Sequence, residues 1–149
     1  MKLVEVKPQF VPIIPEQLVK GVLYVCEPHR IAIHQCCCGC GEEVVTPLSP
    51  AEWQIERKGP QVSLFPSIGN WNFRCRSHYW IRRNRVVWTA ALSAERIALV
   101  QAHDRSAKAA HIAVLNAAKE QMMAPCATAE KQKRRAVWER LWAWIASSR

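Results

Sequence analysis

Short apolar runs separated by turn-forming residues fill the first 88 residues of the chain. They lie at residues 21–26, 30–34, 43–48, 54–57, 61–65, 79–81 and 85–88. Short runs bounded by glycine, proline and polar residues are typical of strands joined by tight turns. Pro8, Pro12 and Pro15 restrict the opening segment to a short edge strand and an extended loop, because proline cannot donate to a sheet ladder. The pattern predicts a small, mostly antiparallel β domain over residues 1–88.

The pattern changes at Thr89, after which the chain is rich in alanine. Residues 90–123 contain no proline or glycine, so we expect a long helix there. Pro125 is expected to end this helix, and Thr128 is expected to cap a second one. The second helix carries an apolar stripe that packs on the first helix or the β domain, or forms a self-association face. The stripe consists of Trp138, Leu141, Trp142 and Ile145.

These patterns together predict an α+β fold class. The β domain occupies residues 1–88, and a helical C-terminal extension occupies residues 89–149. A chain of 149 residues with half of them hydrophobic is long enough to bury a core.

Four of the seven cysteines fall within the five positions from Cys36 to Cys40. An apolar core does not require cysteines clustered this closely, whereas Zn²⁺ binds about four thiolate or imidazole ligands at tetrahedral corners. The spacing Cys36-x-Cys38-x-Cys40 is tighter than an ordinary C-x2-C pair, so not every thiol is expected to reach the same ion. Cys75 is the natural additional donor. The alternative is that these cysteines are simply buried or paired in disulfides.

The start of the chain lacks the apolar segment of a signal peptide, and no run approaches the roughly 20 apolar residues of a membrane span. We therefore expect a cytoplasmic protein without a membrane partner. In that compartment clustered cysteines are more often metal ligands than disulfides. The odd total of seven leaves at least one thiol unpaired.

The net charge of +9 is distributed unevenly. Residues 70–88 carry 5 basic and no acidic side chains, whereas residues 1–69 carry 6 basic and 7 acidic ones. This basic strip could bind nucleic acid or an acidic protein surface, or could simply be a solvated face.

Three ordered motifs resemble a family of small bacterial domains of unknown function. They are CCCGCGEEVVTPLSP at residues 36–50, SLFPSIGNW at 63–71 and CRSHYWI at 75–81, and the resemblance covers roughly residues 15–88. Members are encoded beside ubiquitin-like proteins and their activating and conjugating enzymes. The resemblance implies a peptidase that acts on the ubiquitin-like protein, with those enzymes as possible partners. Related sequences often have proline at the position of Cys37, which leaves Cys36, Cys38, Cys40 and Cys75 as ligands of a structural Zn²⁺.

A serine nucleophile needs a base within hydrogen-bond reach. His34 lies two residues before Cys36, and Ser77 lies two residues after Cys75. Because side chains two apart on a strand share a face, a metal held by both cysteines is expected to bring Ser77 and its base His34 together. His78 is the third candidate, although on a regular strand it points away and suits a second ligand or a structural hydrogen bonder. The carboxylate that orients the base is left open among Glu27, Glu42 and Glu43.

Two other functions stay open at this point. A catalytic zinc needs histidine or carboxylate ligands and an open position, whereas a site made only of thiolates is closed. A non-catalytic module that binds an acidic partner or nucleic acid through the basic strip is the stronger rival. Binding of nucleic acid through several arginines would weaken steeply with salt.

Overall fold

The computed structural model describes the backbone of residues 1–146, and the side chains of residues 1–122 and of Arg135, Trp138 and Glu139. Eight strands precede one helix. The strands are β1 (Lys7–Phe10), β2 (Val22–Cys26), β3 (Ile31–Gln35), β4 (Glu43–Pro47), β5 (Gln54–Lys58), β6 (Gln61–Gly69), β7 (His78–Arg82) and β8 (Arg85–Trp88), and the helix is α1 (Ala94–Ala146). The predicted α+β class is confirmed.

The strands form two sheets of four, in the orders β1-β2-β3-β4 and β5-β6-β7-β8. All neighbours are antiparallel except β1 and β2, which run parallel. The β3–β4 pair is the predicted hairpin whose connection contains the cysteine cluster. Short connections between consecutive antiparallel strands explain why the apolar runs are so closely spaced along the sequence.

Both sheets contribute to a single apolar core. Leu23 and Val25 of β2 and Leu64 of β6 are completely buried, as are Tyr79 and Ile81 of β7. Each pair within a strand is two residues apart, as expected when one face of a sheet is buried. Removing this apolar surface from water is the main term that stabilises the two-sheet arrangement.

β6 continues beyond Pro66, where the apolar pattern predicted its end. Leu64 pairs with Ile81, but the next partners are Ile68 and Tyr79, so β6 has two more residues than β7 over this interval. The extra residues form a bulge. Proline is tolerated there because a bulge interrupts the ladder and needs no N–H at that position. Ser67 lies within this irregular interval.

The C-terminal segment forms one helix instead of the predicted two. Pro125 lies inside α1, so the expected break at Pro125 and the cap at Thr128 are wrong. An interior proline costs about 3 kcal/mol of helix stability, but the flanking segments are rich in alanine and other strong helix formers. Trp138 of the predicted stripe is exposed, whereas the side chains of Leu141, Trp142 and Ile145 lie outside the described residues.

By its internal contacts the chain divides into a unit of Met1–Lys108 and a unit of Ala109–Arg149. The predicted boundary at residue 88 remains a prediction. Over the residues described, α1 lacks a stretch that is apolar enough to cross a membrane.

Candidate functional site

The four cysteines predicted as ligands lie together. The sulfur atoms of Cys36, Cys38, Cys40 and Cys75 are all within 4.8 Å of one another. The Sγ of Cys36 is 3.4 Å from that of Cys38 and 3.9 Å from that of Cys75. The first three come from the β3–β4 connection, and Cys75 comes from the loop before β7. The cluster therefore joins the two sheets.

Backbone conformation explains how three ligands fit into five residues. The connection begins with a tight turn in which the N–H of Gly39 donates to the carbonyl of Cys36 at 2.9 Å. Gly39 and Gly41 have φ of 86° and 88°, a region that favours glycine because it has no β-carbon. Two left-handed residues in this short stretch fold the chain back on itself and turn the alternate cysteines towards one point.

The donor set fits a metal ion that prefers sulfur. Zn–S bonds of about 2.3 Å at tetrahedral angles place sulfur atoms about 3.8 Å apart, close to the separations found here. Cys37 is different, since it is completely buried in the core and burial raises its pKa to about 12. It stays a neutral thiol, in agreement with its exclusion from the predicted ligand set. No histidine or carboxylate belongs to the cluster among the residues the structure describes.

Ser77 lies against the cysteine cluster and is buried, with 7% of its surface exposed. Its Oγ is 3.1 Å from the Sγ of Cys36 and 3.5 Å from that of Cys75. The side-chain amide of Asn70 donates to the same Oγ at 2.8 Å. Burial raises the pKa of Cys75, but hydrogen bonds from the side chain and backbone of Ser77 and from the thiols of Cys38 and Cys40 together lower that pKa to about 7. Ser77 is therefore placed to donate a hydrogen bond to a ligand sulfur.

His34 does not contact Ser77 directly. Its Nε2 lies 2.9 Å from the hydroxyl of Tyr79, and the amide of Asn70 lies between Tyr79 and Ser77 at 3.5 and 2.8 Å. Burial lowers the pKa of His34 to about 4, so the ring is neutral at physiological pH. Within the described residues its Nδ1 is buried without a partner. The predicted pair of His34 and Ser77 is thus connected through two other side chains, and its catalytic role remains a prediction.

A second serine and histidine make the direct contact. The Nε2 of His78 lies 3.0 Å from the Oγ of Ser67. Both residues are half-buried, unlike Ser77 and His34, which are buried. His78 was predicted to be a second ligand or a structural hydrogen bonder; it lies outside the cysteine cluster and forms a hydrogen bond instead.

Gly69 makes room for the aromatic side chain that flanks His78. Gly69 pairs with His78 across β6 and β7, and the ring of Trp71 occupies the space that a β-carbon on Gly69 would fill. That ring packs on His78 with centroids 4.9 Å apart. Trp71 therefore limits the orientations that the imidazole can adopt.

The surroundings of His78 keep its ring neutral. Burial lowers its pKa below the ordinary value of 6.5, and the backbone of Ala90 opposes this shift. Nδ1 is buried and has no partner of ordinary hydrogen-bond geometry within the described chain. Glu27, Glu42 and Glu43 are exposed and bond to neither His34 nor His78 among the described contacts. The described structure thus offers a serine–histidine pair without an orienting carboxylate.

Asn70, Trp71 and Tyr79 are participants to which sequence reasoning assigned no role in the site, and Ser67 was only the reserve candidate for the nucleophile if Ser77 proved dispensable. All four lie within the second and third motifs, which is the signal that could have identified them. Ser67 was not the first choice because strand alternation was expected to stop at Pro66. The bulge in β6 brings Ser67 beside His78, and no periodicity in the sequence specifies its size.

These features define an α+β protein whose small two-sheet β domain combines a thiol cluster suited to a metal with a serine–histidine pair. A sequence model of the family described as bacterial ubiquitination-like system serine protease (BubE) matches residues 10–89, which is more than half of the chain. The chain belongs to this family, and the resemblance found from its motifs is confirmed. Comparisons with curated proteins and with solved structures gave no significant match.

Proposed function

We propose that this protein is a peptidase that cleaves a ubiquitin-like protein, with Ser67 as the nucleophile and His78 as its base. The observation that carries the proposal is the 3.0 Å contact between the Oγ of Ser67 and the Nε2 of His78. It is supported by membership of a family of serine proteases of ubiquitination-like systems. The ubiquitin-like protein of the same system is therefore the first substrate to test.

The chemistry follows the general scheme for an activated serine. Nε2 of His78 removes the hydroxyl proton as the Oγ of Ser67 bonds to the carbonyl carbon of the scissile peptide. The imidazolium then returns that proton to the leaving nitrogen as the C–N bond breaks. A water molecule, deprotonated by the same nitrogen, hydrolyses the resulting ester and restores the serine. A histidine held neutral by burial is ready for the first step at neutral pH.

We assign a structural role to the cysteine cluster. Four thiolates would hold Zn²⁺ in a closed site, and a closed site supplies folding free energy rather than an activated water. The cluster joins the loop before β7 to the β3–β4 connection, so it would fix the start of the strand that carries His78. Ser77 and Asn70 support the ligand sulfurs by hydrogen bonding. This assignment accounts for the burial of Ser77 better than a role as nucleophile does.

The test is cleavage of the ubiquitin-like protein, followed by intact-mass analysis. Ser67→Ala and His78→Ala should each lower kcat about a thousandfold or more, and the double variant should be little worse than either one. Ser77→Ala and His34→Ala are the matched comparison, because the sequence predicts that pair as catalytic. They should lower stability or metal content while folded protein retains most activity.

Three outcomes would contradict the proposal. Activity that survives in Ser67→Ala but disappears in a folded, metal-loaded Ser77→Ala protein would return the nucleophile to Ser77. Activity lost only when metal is removed from a folded protein would favour metal-dependent hydrolysis. Tight, salt-sensitive binding without any cleavage by the wild-type chain would favour a binding module.

A further inference from the structure

A groove on the outer face of the second sheet lies on the same two strands as the proposed catalytic pair. Its volume is about 260 Å³, and its walls include Phe65 of β6, Arg82 of β7 and the adjacent Arg83. Phe65 lies two residues before Ser67 on β6, and Arg82 lies four residues after His78 on β7. Four residues of strand span about 13 Å. The groove thus lies along the same two strands as the catalytic pair, with Arg82 about 13 Å along β7 from His78.

Aromatic side chains form the part of this surface nearest the catalytic pair. Phe65 and Trp80 meet edge to face with ring centroids 6.4 Å apart. The guanidinium of Arg82 lies over the ring of Trp80 at 4.5 Å from its centroid. Stacking on an aromatic ring orients a guanidinium while leaving its N–H groups free to bind an anion.

The charges in the groove do not balance internally. Glu56 is its acidic member and already pairs with Lys58 at 3.0 Å. Arg82 and Arg83 are exposed and make no salt bridge with any part of the described chain. Two guanidinium groups are therefore available to an acidic ligand.

The backbone holds Arg83 in a conformation that arginine rarely adopts. Arg83 and Asn84 have φ of 47° and 68° and form the two-residue turn between β7 and β8. The N–H of Arg83 donates to the Oγ of Ser63 at 3.0 Å, and the side chain of Asn84 accepts from the N–H of Val62 at 2.8 Å. The turn needs left-handed residues but not a positive charge, since glycine would satisfy it with less strain. An arginine at a strained position suggests a functional use for its side chain.

We propose that this groove binds an acidic side chain of the substrate, about four residues along an extended segment from the bond that Ser67 attacks. The distance follows from the four-residue spacing of His78 and Arg82, and an even number keeps the substrate side chain on the face that meets the sheet. This placement depends on the proposed catalytic pair, whereas the binding of an acidic ligand does not. Arg82 and Arg83 then determine specificity without taking part in the chemistry.

Two measurements on the full chain separate the binding of an acidic ligand in the groove from its placement relative to the catalytic pair. The first uses the Ser67→Ala variant and a short fluorescent peptide with glutamate at alternate positions, compared with the same peptide carrying glutamine. The glutamate peptide should bind more tightly, and Arg82→Gln or Arg83→Gly should each weaken it about tenfold. Arg74→Gln is the matched control, because it removes an exposed arginine of the same basic strip outside the groove. Arg83→Gly also retains the turn, so loss of binding cannot be ascribed to a broken backbone.

The second measurement is cleavage of the ubiquitin-like protein with Ser67 intact. Arg82→Gln and Arg83→Gly should raise KM about tenfold with little change in kcat, since the groove is remote from the reacting bond. If cleavage proceeds but both variants behave like Arg74→Gln, the groove proposal is wrong and the peptidase proposal stands. If nothing is cleaved but the glutamate peptide still needs Arg82 and Arg83, the groove stands as a binding site and the peptidase proposal fails. Equal affinity for the glutamate and glutamine peptides, or tighter binding of a single-stranded oligonucleotide through the same arginines, would overturn the groove proposal.

Discussion

The indole ring of Trp71 occupies the space directly above Gly69, where any larger residue would place its β-carbon. The same ring packs on His78, which is the strand partner of Gly69. A residue without a side chain is thus needed so that an aromatic residue two positions later can restrain the imidazole. Among the described residues, His78 is the one whose side chain hydrogen-bonds the hydroxyl of Ser67, so the restraint acts on the proposed base.

Gly69→Ala should therefore reduce activity by displacing Trp71 and, through it, His78. We expect kcat to fall at least about tenfold, as for other displacements of a catalytic group, while metal content is unchanged. Trp71→Ala should have a similar effect because it removes the same restraint. The double variant tests the mechanism. If Gly69→Ala acts through Trp71, the double variant should be little worse than Trp71→Ala alone, whereas additive losses would show two independent effects.

Tyr79 connects His34 to Asn70 within the core, so Tyr79→Phe should destabilise the protein. The substitution removes the hydrogen-bond partner of Nε2 of His34. The other ring nitrogen, Nδ1, is buried and already lacks a hydrogen-bond partner in the described structure. Leaving a buried polar group unpaired costs about 1–3 kcal/mol. Tyr24→Phe is the matched control, because the Tyr24 hydroxyl makes only a weak, 3.4 Å contact with the N–H of Val19. Urea unfolding of both variants should show the larger loss for Tyr79→Phe, and equal losses would contradict the network.

The strands and the cysteine cluster could be predicted from the sequence because both are specified by patterns within short stretches of the chain. Alternating apolar residues and turn residues located the hairpins, and a density of thiols needs no knowledge of tertiary structure to suggest a metal. The proposed catalytic pair could not be predicted in the same way. Strand periodicity assigns Ser77 to the face of its neighbouring cysteine, and Ser77 does lie there, at 3.5 Å from Cys75. Periodicity could not reveal that a two-residue bulge brings Ser67 to His78.

The helix was also only partly predictable. The alanine-rich composition after Thr89 correctly indicated helix, but a local rule about proline predicted an end that the structure does not have. Such a rule describes the free-energy cost of placing one residue in a helix. The extent of a helix depends on the helix propensities summed over its whole length.

Removal of the helix should leave the β domain folded. A chain that ends at Leu92 keeps Thr89, whose N–H and hydroxyl both donate to the carbonyl of His78. It loses the salt bridge between Lys108 and Glu52, and partly exposed pairs of this kind contribute at most about 1 kcal/mol. Circular dichroism should show retained β structure, and metal analysis should show retained metal. An insoluble or metal-free product would mean that the predicted boundary at residue 88 is wrong.

The cysteine cluster should bind one zinc per chain. Cys75→Ala should lose most of the metal and lower the melting temperature, and chelation of the wild-type protein should do the same, because metal binding contributes directly to folding. Cys37→Ala is the matched control, since Cys37 lies in the same motif but is buried as a neutral thiol. It should lose some packing energy but keep its zinc. Full zinc occupancy in Cys75→Ala, or a metal other than zinc in the protein as isolated, would contradict the assignment.

Activity should depend on pH through the protonation of His78. Only the neutral ring can accept the serine proton, and burial keeps the pKa of His78 below its ordinary value of 6.5. As pH falls through that pKa the imidazolium accumulates, so kcat/KM should be flat at neutral pH and fall about tenfold per pH unit on the acidic side. Zinc content and melting temperature must be measured at each pH, because acid also protonates thiolates. A midpoint below 6.5 with constant metal content supports a buried histidine as the base, and a midpoint that is unchanged in His34→Ala assigns it to His78. A midpoint near 4 that shifts in His34→Ala would point to His34, whose pKa burial lowers to about 4.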